Sequence, residues 1–108
     1  GAFPLWLAPE QVRVMVVSQK FEQYGRQVER MLAEAELRVT GDYRAEKIGA
    51  KIRDAQLELV PYMFIVGGRE AEQQQVSVRH RRQGDLGTMS LQAALNRLKD
   101  EIASKKIL

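Results

Sequence analysis

The chain has 108 residues, of which 44% are hydrophobic and 29% charged, with a formal net charge of +3 and a pI near 9.5. This length suits one globular domain with one real core and leaves no room for two. With 0 cysteines there is no disulfide framework, no thiolate metal site and no cysteine nucleophile, which fits a reducing, cytoplasmic setting. No apolar run approaches the ~20 residues needed to span a bilayer, and no basic segment followed by an apolar one opens the chain. The basic balance leans towards acidic partners such as RNA.

The first segment with a clear preference is Gln11 to Val17, rich in β-branched residues and mostly apolar, as a central strand covered on both faces is. From Phe21 to Glu36 the apolar residues Tyr24, Val28, Met31, Leu32 and Ala35 recur at helical spacing. Glu22, Arg26, Glu29 and Arg30 take the solvated positions. Leu37 to Thr40 reads as a short second strand, ended by Gly41-Asp42. Ile48, Ile52, Ala55 and Leu59 predict a second helix, stopped at Val60 because Pro61 disfavours the α region before it. Tyr62 to Val66 is a buried third strand between Pro61 and Gly67-Gly68, and the polar stretch Gly67 to Gln75 serves as a connecting loop. Val76 to Arg79 then alternates, placing Ser77, Arg79 and Arg81 on one side and Val76 and Val78 on the other. Gln83-Gly84-Asp85 reads as a turn and Leu86 to Met89 as a short strand. Ser90 caps a last helix whose stripe is Leu91, Ala94, Leu95, Leu98 and Ile102, with Lys105 and Lys106 suiting its C-terminus. The order is βαβαβββα: an α/β fold with the first three strands parallel, the fourth antiparallel, and about five strands and three helices in three layers.

A reaction centre cannot be assembled from these residues. The single histidine, His80, excludes a His-based triad or a His metal cluster, and reads as a surface or strand-end side chain. The carboxylates are scattered, Glu34 and Glu36 on solvated positions, and Gly67-Gly68 lacks the lysine and spacing of a phosphate cradle. Two basic groups remain. Arg44, Lys47, Lys51 and Arg53 lie at and within the second helix, where Lys47 and Lys51 share a face; alone they read as an ordinary solvated face. Arg79, Arg81 and Arg82 flank His80 at the end of the fourth strand. Arginines so close repel unless an anion visits them, and their planar forks suit phosphates and bases.

Phe3-Pro4-Leu5-Trp6-Leu7-Ala8-Pro9-Glu10-Gln11-Val12 resembles the segment that opens the last domain of bacterial threonyl-tRNA synthetases. Asp42-Tyr43-Arg44-Ala45-Glu46-Lys47-Ile48-Gly49, Lys51-Ile52-Arg53, Val60-Pro61-Tyr62-Met63 and Val78-Arg79-His80-Arg81 followed by Gly84-Asp85-Leu86-Gly87 continue the match in order. Each piece alone is shared with prolyl, glycyl and histidyl relatives. Together, from Phe3 to the final helix, they point to the threonyl family and its class II anticodon-binding fold, with residues 1–9 a connecting segment and 10–108 the domain. The abrupt start at Gly1-Ala2-Phe3 is read as a cut from a longer chain.

The resemblance implies an RNA-binding domain that grips the anticodon loop of threonine tRNA while a catalytic domain, absent from this chain, charges it. It implies no cofactor in this domain; ATP, Mg and Zn are expected only in the parent's catalytic domain, and the parent is expected to be a homodimer. In that family the second and third anticodon bases, guanine and uracil, are read. The base-reading carboxylate maps onto Glu70, the base-reading arginine onto Arg79 and a supporting arginine onto Arg53, with Lys47, Arg44, Arg81 and Arg82 as further RNA contacts. A carboxylate can accept guanine's N1–H and N2–H together, a donor pair adenine lacks, and Arg79 can donate twice to uracil carbonyls or to a phosphate. Relatives often carry Asn where this chain has Ala45, so any contact made by that amide is absent or supplied elsewhere. Tyr43 could stack on a base, but packing is the favoured reading. Two alternatives stand beside this one: a non-enzymatic accessory protein reusing the fold, and the equivalent domain of a prolyl- or glycyl-type enzyme.

Overall fold

Val12, Val14 and Val16 point to one face of the first strand and Arg13 and Met15 to the other, and both faces are covered. The structure, a computed structural model, describes residues 2–106. Among these the order is β1 (Val12–Val16), α1 (Glu22–Glu34), β2 (Val39–Asp42), α2 (Ile48–Leu57), β3 (Tyr62–Val66), α3 (Gly68–Gln73), β4 (Gln75–His80), β5 (Gly84–Ser90) and α4 (Leu91–Ser104). Single 3₁₀ turns at Leu5–Leu7 and Gln19–Phe21 precede β1 and α1.

The five strands form one mixed sheet in the order β2-β1-β3-β4-β5. β1 is parallel to β2 and β3, which bring Val39 and Tyr62 opposite Val12. β4 runs antiparallel to β3, with Phe64 opposite Val78 and Met63 opposite Arg79. β5 runs antiparallel to β4, with a register shift between Val78 and Arg79. Helix α1 lays Val28 and Leu32, and α4 lays Leu91, Ala94, Leu95 and Leu98, on the face formed by Val12, Val14, Val16, Tyr62, Phe64, Val66, Val76 and Val78. Helix α2 covers the opposite face through Ile48, Ile52 and Ala55 on Met15, Met63 and Ile65. The result is the expected three-layer α/β domain. Leu5 of the opening segment is also in the core at 1% exposure, and its 3₁₀ turn packs on α4. Leu5 and its turn therefore dock the opening segment on the domain.

One layer is incomplete. Helix α2 packs its apolar residues on β1 and β3, and no described apolar cluster covers the corresponding face of β4 and β5. Ser77 and Arg79 are half-buried there, and Thr88 is exposed.

Several sequence expectations are corrected. The stretch Gly67 to Gln75 is not a plain loop: it holds α3, making four helices rather than three. Six residues are too few to show an apolar period, and this helix is closed by its own polar groups. The Glu70 Oε1 accepts from the Gly67 N–H at 2.7 Å, and Gln74 turns the chain out with φ 55°. Helix α2 ends at Leu57 instead of reaching Val60, because Leu59 takes φ 60°. Gly41-Asp42 belongs to β2 rather than ending it, and Gly84-Asp85 is the start of β5.

His80 and Lys51 are also placed differently from the expectation. His80 is 2% exposed. Its ring meets Tyr62 edge-on at 4.9 Å, and its Nδ1 accepts from the backbone N–H of Arg82 and Gln83 at 3.1 and 3.2 Å. Burial and the neighbouring Arg81, Arg82 and Arg97 push its pKa down to about 4. Lys51 is 1% exposed instead of sharing a solvated face with Lys47. Its Nζ donates to the Val16 and Asp42 carbonyls at 2.9 and 3.4 Å, tying the ends of β1 and β2 together, and burial lowers its pKa.

Candidate nucleic-acid interface

The uncovered face of β4 and β5 is bounded by α2 on one flank and by the C-terminal rim of the sheet at one end. The side chains of α2 sort themselves around its axis by 100° per residue. Asp54 meets Arg44 at 2.9 Å and Glu58 meets Arg13 at 3.1 Å, so that flank faces β1 and β2. Gly49 and Gln56 take the other flank, Ile52 packs on the sheet with Ile48 and Ala55, and Arg53 lies on the outer side. Arg53 is exposed, as is Lys47, the residue that precedes the first turn of α2 at the sheet rim.

Arg79 projects from β4 onto the open face because alternation from buried Val76 and Val78 forces it there. Its Nε is buried and has no hydrogen-bond partner, and the guanidinium forms no ion pair among the described residues. An arginine held in this way is a cation without an anion. A desolvated donor left unsatisfied costs about 1–3 kcal/mol, which a ligand oxygen would recover.

Glu70 stands at the rim in the first turn of α3. One carboxylate oxygen holds the Gly67 N–H, and the charge helps burial raise the pKa of Tyr24 to about 12. Gly67 suits this close approach: a Cβ there would come within 3.0 Å of Val17 and 3.2 Å of the Glu70 oxygen. Gly67 lies four residues along the chain from Met63, the partner of Arg79, or about 13 Å.

The remaining expected contacts divide. Arg44 is clamped between carboxylates, bonding Asp42 at 2.9 and 2.7 Å and Asp54 at 2.9 Å, and the pair holds the Asp42 carboxyl below its usual range. Arg81 donates to the Leu59 carbonyl at 2.9 Å and to the Phe3 carbonyl, so it fastens the opening segment to the end of α2. Arg82 is exposed in the β4–β5 turn. Arg53 and Lys47 are exposed and Arg79 is half-buried, whereas Arg44 and Arg81 are engaged in internal contacts. Tyr43 packs: Arg26 lies 4.2 Å over its ring, and its hydroxyl donates to Glu29 at 2.6 Å. Ala45 is exposed beside Lys47 at the rim.

Sequence reasoning passed over Ser77 and Thr88. Their hydroxyls meet at 2.9 Å on the open face. The alternation that put Ser77 beside Arg79 was the available signal; Thr88 needed the strand register.

The strand order and the half-covered face fit an anticodon-binding fold, and the model of the family described as "Anticodon binding domain" matches residues 11–101. The chain belongs to that family. It is 51% identical over 105 residues to the threonine–tRNA ligase of Syntrophomonas wolfei, covering 97% of this chain and 16% of that protein. It is 52% identical over 107 residues to that of Caldanaerobacter subterraneus subsp. tengcongensis, covering 99% and 17%. The RNA-binding domain of the Cryptosporidium parvum threonyl-tRNA synthetase superposes with a TM-score of 0.88 at 33% identity, over 93% of this chain and 25% of that one. A histidyl-tRNA synthetase from Nostoc superposes with a TM-score of 0.81 at 21% identity, over 88% of this chain and 23% of that one, a likeness of fold. The chain spans about a sixth of the length of the curated relatives it matches.

Proposed function

We propose that this domain reads the anticodon loop of threonine tRNA for a threonine–tRNA ligase, with Glu70 and Arg79 each taking a different base. The observation that carries this reading is Arg79, a half-buried guanidinium with an orphaned Nε on the open face. A single-stranded loop supplies what that position lacks, since its unstacked bases offer carbonyl acceptors beside phosphates. At the rim, the Glu70 carboxylate caps α3 through one oxygen and can accept from the Watson–Crick edge of guanine through the other. Exposed Arg53 and Lys47 supply charge for the RNA backbone, and Arg82 adds to it.

The ATP, Mg and Zn of such ligases belong to the catalytic part of the longer protein, and no residue of this chain is assigned to them. A homodimeric parent in the cytoplasm is part of the same reading. No described helix is long and apolar enough to cross a membrane.

The test is fluorescence-anisotropy binding to a threonine-tRNA anticodon stem-loop, with competitors in which the middle guanine is adenine or the third-position uracil is replaced. Preference for the unaltered loop is expected, by about 1–3 kcal/mol per lost bidentate contact, on the scale of base readout in DNA. Equal binding to all three loops would leave a generic basic surface in place of a reader.

A further inference from the structure

We propose that the Ser77–Thr88 hydroxyl pair is a ribose-reading contact, bonding the 2′-hydroxyl of the loop nucleotide whose base Arg79 takes. The inference rests on the anticodon-loop reading and adds a sugar contact to its two base contacts.

The pair is placed by the sheet itself. Ser77 and Thr88 are opposite one another in the β4–β5 register, and Ser77 is opposite Ile65 in β3. Ser77 is two residues, about 7 Å, from Arg79 on the same face. Gly67, which the Glu70 carboxylate caps, is a similar distance from Ile65 in the other direction. A nucleotide held by Arg79 therefore lies beside the hydroxyls on the same face.

Their chemistry selects the group they would meet. Ser77 Oγ and Thr88 Oγ1 lie 2.9 Å apart, and either can donate to the other. That bond uses one of the two hydroxyl protons, so the pair as a unit keeps one donor and spare acceptor lone pairs. A phosphate oxygen accepts only, and the neighbouring Arg79 answers it better through charge. A ribose 2′-hydroxyl both donates and accepts, which matches the pair on both counts and distinguishes RNA from DNA. Cross-strand Ser–Thr pairs also occur simply because they support a sheet. In that case a change in the pair would not be coupled to the sugar.

The experiment measures that coupling. The native chain and a Ser77→Ala/Thr88→Val variant are each titrated with the all-ribose anticodon stem-loop, and with stem-loops carrying a 2′-deoxy sugar at each loop nucleotide in turn. The variant is expected to bind the all-ribose loop about three- to tenfold more weakly, the worth of one hydrogen bond. At one loop position the native chain should lose the same factor on deoxy substitution, and the two losses should not add. Thr88→Ser, which keeps the hydroxyl, should bind as the native chain does; because it alters the strand least, it also serves where the double variant melts early. Additive losses at every position, or native-like binding by the double variant, would overturn the ribose contact and leave the base readers standing. Failure of the native chain to bind any stem-loop would overturn the anticodon reading as well.

Discussion

Arg79 and Arg81 stand two residues apart at the same end of β4, yet the structure gives them opposite work. Both keep a buried Nε with no partner, but Arg81 bonds two backbone carbonyls from distant parts of the chain through its terminal nitrogens, whereas Arg79 makes no hydrogen bond or ion pair among the described residues. Arg81→Ala should therefore lower thermal stability by about 1–3 kcal/mol, leaving carbonyls unsatisfied, while the salt slope of RNA binding stays as it was. Arg79→Ala should do the reverse: near-native melting, with affinity for the threonine stem-loop reduced by about 1–3 kcal/mol. A melting curve and a salt titration of each variant decide both points. His80 yields a pH prediction. Its ordinary pKa of 6.5 applies to the unfolded chain, and about 4 to the folded one, so the unfolded chain takes up the proton first. Stability is then full above about pH 6.5 and declines as pH falls towards 4, by on the order of 1–3 kcal/mol. Protonated Nδ1 can no longer accept from the Arg82 and Gln83 amides. His80→Asn should flatten the melting midpoint across that window; an unchanged pH profile in the variant would assign the decline to other groups.

At the scale of elements, α3 ties reading to folding. The Glu70 carboxylate both closes the first turn of this six-residue helix and faces the RNA in the proposed function. Glu70→Gln keeps an acceptor for the Gly67 amide, so it should lose guanine preference over adenine with little effect on stability. Glu70→Ala removes the cap as well and should cost roughly 1 kcal/mol more, visible as faster amide exchange over residues 67–73. If both variants retain the guanine preference, Glu70 is a cap only. The elements themselves were largely legible. Long segments with a clear period, such as Val28 and Leu32 in α1 or Leu91 to Leu98 in α4, declare themselves in sequence, as do the valines of β1. What escaped was set by contacts far along the chain. α3 has no apolar period to show. Lys51 looks solvated until the carbonyls of Val16 and Asp42, brought together only by the parallel pairing of β1 and β2, surround its ammonium. Arg44 looks available until Asp42 and Asp54 close on it. The residues around the open face carried over from the resemblance, but that the face is open at all follows from α2 laying its apolar side on β1 and β3 rather than on β4 and β5.

For the whole molecule, the order β2-β1-β3-β4-β5 sets which surface is free and which segments form the rims. With a net charge of only +3, binding depends on where the cations sit more than on their number, so affinity should fall with added salt on a shallow slope. Replacing Lys47 and Arg53 together should flatten it by about one to two phosphate equivalents, measured from 50 to 200 mM salt. The rims carry a different consequence. A strand at the edge of a sheet offers unpaired amides to any passing chain, and long flat edges invite aggregation. Here β2 has only four residues, and β5 takes positive φ at Gly84 and Gly87 opposite an irregular register at Val78 and Arg79. Such breaks twist a strand away from a regular ladder. A sheet bounded by one short rim and one bent rim is a poor template for its own copies, so the domain can be crowded onto RNA at high concentration without adding strand to strand.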